Sequence, residues 1–344
     1  MARRFLCITT LALLLVLVGC GVTQTKTETA LPAATGNIQA DPQYIFAVDK
    51  DSSENVLAAA KLFCEKAWEL SGGGLSVGVV EFDNAHRAVL SGEAAFAISQ
   101  NRDIRMHSEC FDAFLAPFIF KDYSHFTMSA NYQPLLDTIN NNSEGIRVIA
   151  GYYAGTSYFL AKQPLEDQQQ LLGLFFDTET VPVALAPPGS SVIAGLGRIG
   201  FEVIEMSSAN ERLEQLENDK AVLAEFTVRE LIDSSEWLNS GLSFINVPNN
   251  FGSLWFVCSE PLYSELNSKQ KAAMIEANSY LFPLLDESSL RDESRILFAI
   301  SEQGFKTSGL PEVFRVICDS AYFDGFSPSV LRVYAAGQIS EIRR

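Results

Sequence analysis

The pattern of apolar and polar positions changes period within the first thirty residues that can bury a core. YIFAVD (44–49) is the short apolar run of a buried strand, whereas Val56, Leu57, Ala60, Phe63, Ala67 and Trp68 recur at helical spacing with Lys61, Glu65 and Lys66 opposite them. Asp51 followed by Glu54 suits a capping box that opens this helix, and SGGG (71–74) ends it. LSVGVVEF (75–82) reads as a second strand. Strand, helix, strand predicts a parallel α/β layer.

The same alternation continues. HRAVLSGEA leads into AFAIS (95–99), IRVIAGYY (146–153) is a strand, NERLEQLENDKAVLAEF (210–226) reads as one helix, and SLWFVCS (253–259) as a strand. LNSKQKAAMIEANSYLFPLL (266–285) reads as a single long helix, and the last 60 residues are mostly helical, with breaks at SGLP and DGFSP. No internal repeat is visible.

One motif pulls against this plain α/β reading. AGLGRIGFEV (194–203) holds Gly195, Gly197 and Gly200 in the G-x-G-x-x-G spacing that cradles a dinucleotide pyrophosphate, which requires a strand before the glycines and a helix after them. Here Pro187, Pro188 and Gly189 break the chain and Ser190 or Ser191 can cap a helix, while FEVIEM downstream favours a strand. The order is inverted, so Gly200 is expected to terminate a helix and no cofactor is expected.

The N-terminus bears on location. Arg3 and Arg4 precede an apolar run from Phe5 to Val18 that closes on Leu17-Val18-Gly19-Cys20; it is short for a membrane span and reads as a secretory signal over 1–19, the other reading being an uncleaved anchor helix. The pattern resembles bacterial lipoprotein signals, in which a cysteine at the place of Cys20 is diacylated and becomes the first mature residue. Residues 20–43 are Thr-, Ala- and Pro-rich and read as a flexible tether. About 300 residues follow, enough for two lobes with separate cores.

Charge excludes some partners. The formal net charge is −17, and loss of Arg3 and Arg4 with the signal takes it to −19, so the mature surface repels nucleic acid and anionic headgroups. Membrane association would then rest on acyl chains and partner proteins. Of six cysteines, Cys64, Cys110, Cys258 and Cys318 remain after Cys7 and Cys20; they are expected to be free thiols, although export would permit disulfides. His86, His107 and His125 have no metal-ligand spacing, no G-x-S-x-G elbow is present, and Gly155-Thr156-Ser157 lacks the strand–turn–helix context of a nucleophile. A Ser-His-Asp triad assembled only in space stays open at this stage, but the expectation is a protein that does no chemistry.

PFIFKDYSHF (117–126) is the most specific stretch in the chain. It resembles a segment of the extracytoplasmic solute receptors of TRAP transporters, the dicarboxylate-binding family. Further stretches fall in that family's order: IRVIAGYYAGTSYFLAKQPLEDQQQLLG (146–173), NERLEQLENDKAVLAEF with its alanine-glutamate-aromatic ending, and LNSKQKAAMIEA (266–277). The resemblance covers roughly residues 44–340. It implies a two-lobed periplasmic-binding-protein-like α/β fold with crossing strands and a long interlobe helix, lobe 1 being 44–157 with about 246–282 and lobe 2 being 158–245 with about 283–344. It also implies a small organic ligand held in the cleft and delivered to TRAP-type permease subunits, a sensor on the same scaffold being the alternative and a secreted hydrolase a more remote one.

Departures from the family pattern bear on the ligand. The strand after the "Leu-x-Gly" run ends, in the family, in a carboxylate-gripping arginine; counted from Gly173 along GLFFDTE, that position is Asp177. The loop after Asn84 is short for the family, and Val222 stands where an aspartate is common. Altered ligand chemistry on a retained scaffold is the expectation: Asp177 selects an amine or other cationic group, or else the strand is shifted with Asp177 merely solvated, or the receptor transports nothing. Strand ends facing the cleft supply the candidate ligand-binding residues: Asp49, Ser52, Asn84, Gln100, Asn101, Tyr153, Ser157, Asp177, Phe226 and Asn250.

Overall fold

The computed structural model describes residues 42–324 except 177–179, together with Phe326, Pro328 and Val330. The signal, Cys20, the tether as far as residue 41, and Asp177 lie outside the described residues.

The first segment runs β1 (Tyr44–Asp49), α1 (Glu54–Ser71), β2 (Val77–Phe82), α2 (Ala85–Leu90) and β3 (Phe96–Gln100), with both β2 and β3 parallel to β1. Helix α1 is capped by Ser53, whose hydroxyl accepts from the Val56 amide, and not by Asp51. Its end is at the SGGG run, where Gly72 takes a left-handed φ of 65° that a side chain would oppose. Four helices follow: α3 (Asn101–His107), α4 (Asp112–Leu115), α5 (Tyr123–Ala130) and α6 (Gln133–Asn140).

Strand β4 (Ile146–Ala161) extends well past the predicted IRVIAGYY; its register against its neighbour shifts between Tyr153 and Thr156, where Gly155 has a φ of 105°. The chain continues through α7 (Gln168–Phe176), β5 (Val183–Ala186), α8 (Ile193–Ile199), β6 (Glu202–Glu205), α9 (Ala209–Glu217), β7 (Leu223–Thr227) and α10 (Val228–Asp233). Strand β8 (Ser243–Ser259) likewise outruns the predicted SLWFVCS, and then come α11 (Glu260–Glu265), α12 (Ser268–Ser279), α13 (Phe282–Glu302), β9 (Thr307–Ser308) and α14 (Glu312–Phe323).

Three expectations need correction. GLFFDTE does not begin as a strand: Gly173–Phe176 belong to α7, where Leu171 and Leu174 are buried one turn apart and Asp167 accepts from the Gln170 amide at the helix start. The strand comes later, at β5. Residues 210–226 are not one helix, because α9 stops at Glu217, Asp219 takes a φ of 59°, and LAEFT forms β7. Alanine, leucine and glutamate favour helix, but pairing on both edges with β4 and β5 outweighs that preference. The long helix predicted over 266–285 divides between α12 and α13, with Pro283, which has no amide hydrogen to continue a helix, in the first turn of α13.

All strands join one sheet in the order β2-β1-β3-β8-β4-β7-β5-β6, with β9 beside β8. Antiparallel β4 and β8 run the length of the sheet between two parallel sets, β2-β1-β3 and β7-β5-β6. Two apolar cores flank the first half: Phe46, Phe63, Phe96 and Phe256 form one, and Phe111, Phe114 and Trp255 belong to the other. Two more flank the second half, one around Trp237 and Phe244 and one around Phe159, Leu196 and Phe314. Helix α13 belongs to both halves, since Leu285 packs in a core of the first while Ile296 and Ile300 pack in a core of the second.

The G-x-G-x-x-G run is α8 followed by β6, the inverted order read from the sequence; Gly200, at a φ of 121°, donates its amide to the Leu196 and Gly197 carbonyls and closes the helix. No disulfide joins Cys64, Cys110, Cys258 and Cys318, and burial pushes the thiols of Cys64, Cys258 and Cys318 up to about 12. No helix among the described residues is long and apolar enough to cross a membrane.

Candidate functional site

Parallel strands present their carboxyl ends, and the loops beyond them, on one edge of each layer, which is where open α/β sheets hold ligands. The second parallel set places the Pro187–Ser191 loop after β5, Glu205 at the end of β6 and Glu225 on β7 around a cavity of about 470 Å³. Across it stand Arg105 of α3 and Leu115 of α4 from the first half, and Tyr322 of α14. Ser157 and Asn250, directly paired across β4 and β8 just past the Gly155 bend, form its base. The Asn250 amide nitrogen donates to the Leu115 carbonyl at 2.9 Å and to the Ser191 hydroxyl at 3.4 Å, so one side chain touches both halves.

Glu225 dominates the electrostatics. It is only 3% exposed and one carboxylate oxygen accepts from the Ser190 hydroxyl. Burial pushes its pKa up to about 7, against the opposing pull of the Ser190 hydrogen bond and the Arg212 charge. The Asn249 side chain, fully buried on β8, lies beside this carboxylate without meeting any group in hydrogen-bond geometry. Fully buried Arg212 holds the chain behind the cavity: it donates to the Glu225, Met206 and Ser207 carbonyls and to the Glu230 carboxylate at 2.7 Å, with its guanidinium over the Phe226 ring. Arg105 is bound to the Asp112 carboxylate at 2.7 Å.

A smaller cavity of about 230 Å³ opens beside the first parallel set, lined by Asp49, Ser52 and Gln100 with Ala154 and Ser288. Thus the sequence-predicted residues separate. Ser157 and Asn250 meet in the large cavity; Asp49, Ser52 and Gln100 meet in the small one. Asp49 is partly committed already, accepting from the Ala85 amide at 2.6 Å.

The other described candidates line neither cavity. Asn84 caps α2 by accepting from the Arg87 amide and donates to Asp103, and Asn101 accepts from the Trp255 indole. Phe226 is buried in a core of the second half. Tyr153 is buried at the bend, where its hydroxyl and that of Tyr158 both donate to Glu293 of α13, at 2.8 and 2.6 Å. Asp286, one helical stretch earlier, accepts from the Tyr153 amide and the Tyr123 hydroxyl. Helix α13 therefore grips β4 on both sides of Gly155.

Sequence reasoning missed Arg105, Ser190, Glu205, Glu225 and Tyr322. Ser190 or Ser191 is expected to cap a helix; Val192 stands at the N-cap of α8, and the Ser190 hydroxyl accepts from the Val192 amide at 3.4 Å while donating to Glu225. Glu205 and Glu225 were findable by the strand-end rule once 201–206 and 223–227 were both treated as strands; the second was hidden by its helical composition. His86 Nδ1 lies 3.0 Å from Ser99 Oγ, but both residues are buried and neither lines either of these two cavities. No group of residues suited to hold a metal ion occurs among the described residues.

Neither a protein-family model nor a curated protein sequence matches the chain. Solved structures do. A TRAP periplasmic solute-binding protein from Rhodobacter sphaeroides, in an apo open state, is 13% identical with a TM-score of 0.67, covering 87% of this chain and 99% of its own. One from Xanthobacter autotrophicus with bound β-D-galacturonate is 14% identical, with a TM-score of 0.60 over 86% of this chain and 99% of its own. One from Desulfovibrio desulfuricans with bound sn-glycerol-3-phosphate is 14% identical, with a TM-score of 0.59 over 88% and 97%. The chain has the two-lobed fold of the TRAP-type periplasmic solute-binding proteins, at an identity that marks wide divergence within that fold.

Proposed function

We propose that this protein is a lipid-anchored extracytoplasmic solute receptor, which closes its lobes on a small organic ligand and presents it to a TRAP-type membrane permease. The observation that carries the reading is the 470 Å³ cavity built from both halves of the sheet over the β4–β8 crossing. Its neighbours in fold, several with a small solute bound, add support. We place lobe 1 at 44–157 with about 246–282 and lobe 2 at 158–245 with about 283–344, helix α13 serving both and the closing motion passing through Gly155. Ligand contacts made only in the closed arrangement would shift the population toward it.

The protein purified under gentle conditions is expected to retain a small molecule detectable by native mass spectrometry, and to contract in small-angle scattering when that molecule is restored after removal. Ser157→Trp, which fills the cavity base, should lose both effects while keeping its circular dichroism. Absence of any retained molecule together with unchanged scattering would overturn the reading.

Anchoring rests on the Leu17-Val18-Gly19-Cys20 pattern. Cys20→Ala is expected to move the protein from the detergent-rich to the aqueous phase with the folded lobes intact, because acyl chains on that cysteine are the strong membrane signal of the mature chain. Equal partitioning of variant and wild type would refute the anchor.

A further inference from the structure

The charges around the large cavity are unevenly satisfied. Arg105, on its rim, is bound to Asp112 at 2.7 Å. Arg212, behind it, is spent on Glu230 and three backbone carbonyls. Among the described residues, neither Glu205 nor Glu225 is in an ion pair; Glu205 accepts only from the Gly189 amide at 3.1 Å and Glu225 from the Ser190 hydroxyl. A carboxylate ligand entering here would meet two carboxylates and no uncommitted guanidinium. A buried carboxylate in no ion pair, with the Ser190 hydroxyl and the Asn249 side chain beside it and the Arg212 guanidinium turned to other groups, is, conversely, a counter-charge without its cation.

We propose, resting on the solute-receptor reading above, that the cavity takes a ligand bearing a protonated amine, with Glu225 as its principal counter-charge and Glu205 as a second acceptor at the mouth. The Ser190 hydroxyl and the Pro187–Pro188 turn lie beside them in the cavity wall. This assignment stands on Glu225 and Glu205, and it does not require Asp177.

Recognition of this kind depends on pH. Glu225 is held up to about 7 chiefly by burial; Ser190, Arg212 and Asn249 pull it down, Glu230 pushes it up, and the Cys318 thiol of α14 also feels its charge. At pH 8 the group is mostly a carboxylate and at pH 5.5 mostly the neutral acid, so affinity for an amine must fall on acidification.

The test is a thermal-shift and calorimetric screen of the purified full chain with putrescine, ethanolamine and lysine, set against glucuronate, galacturonate and succinate, and against glucose and glycerol. At least one amine is expected to raise the melting temperature, with affinity at least tenfold weaker at pH 5.5 than at pH 8. Glu225→Gln should lose at least tenfold at pH 8 and abolish the pH dependence, and Glu205→Gln should lose less. The wild-type pH profile keeps the proposal testable even if a variant folds poorly. Tight binding of an acid or a neutral sugar, or amine binding indifferent to Glu225→Gln, overturns the amine assignment and leaves the solute receptor standing. A blank screen overturns it as well, while retention of a molecule by the purified protein decides the broader reading independently.

Discussion

Replacing Gly195 with alanine is expected to destabilise the protein by about 3 kcal/mol, the upper end for overpacking a well-filled contact. An added methyl at Gly195 would sit 2.4 Å from the Cys318 Cα and 2.5 Å from its Sγ, so α8 and α14 could not keep their approach. The obstacle is backbone, which cannot swing aside as a side chain can. Gly197, two positions on in the same helix, has nothing within 4 Å of its added methyl, and Gly197→Ala should instead stabilise by roughly 0.5–1 kcal/mol through helix propensity. Urea unfolding of the two variants beside wild type checks the pair. If Gly195→Ala unfolds at the wild-type midpoint, the close packing of α8 on α14 is wrong.

Stability is expected to fall as pH rises from about 4 to about 7, then to level. Burial holds Asp286 up to about 6 and Glu225 up to about 7, above their ordinary values. In that window each keeps its proton in the folded protein after the unfolded chain has released it. Folding therefore takes up protons, and raising the pH through the folded values removes that advantage. A shift from 4.5 to about 7 corresponds to about 3 kcal/mol at most for Glu225. Lower pH also relieves the self-repulsion of a chain carrying a net charge of −17, so the comparison is between variants. Asp286→Asn and Glu225→Gln should each flatten the difference in urea midpoint between pH 5 and pH 8, relative to wild type. A variant with an undiminished difference shows that its carboxyl does not titrate in this window.

Much of the fold was legible because its signals are local. YIFAVD, the Val56–Trp68 stripe and the glycines after it define strand, helix and stop within thirty residues, and the inverted order around Gly195–Gly200 removed a dinucleotide site that the glycine spacing alone suggested. What failed was set by long-range pairing. LAEF has a helical composition and becomes β7 because β4 and β5 both offer it partners. The Asp177 register came from a count along a segment that proved helical up to Phe176, so the strand it relied on lies at Val183–Ala186. The site was readable only in part for the same reason: Ser157 and Asn250 lie just beyond the ends of the recognised runs IRVIAGYY and SLWFVCS, where a strand-end rule still reaches them, whereas Glu225 was concealed in a misread strand, and Arg105 enters the cavity from a helix with no distinguishing pattern.

The place of β8 in the sheet has a consequence for how the chain is made. Strand β3 pairs with β8, with Ser99 opposite Trp255, and not with the β4 that precedes β8 in the chain. As the polypeptide emerges from its N-terminus, the apolar AFAIS edge is complete long before its partner exists. No early segment can close the first half of the sheet alone, and an open strand edge of this composition is a template for pairing with other chains. A nascent or exported chain must therefore be kept apart from its copies until residue 258 has arrived, which makes premature termination within 160–250 a route to aggregation and not to a smaller functional protein.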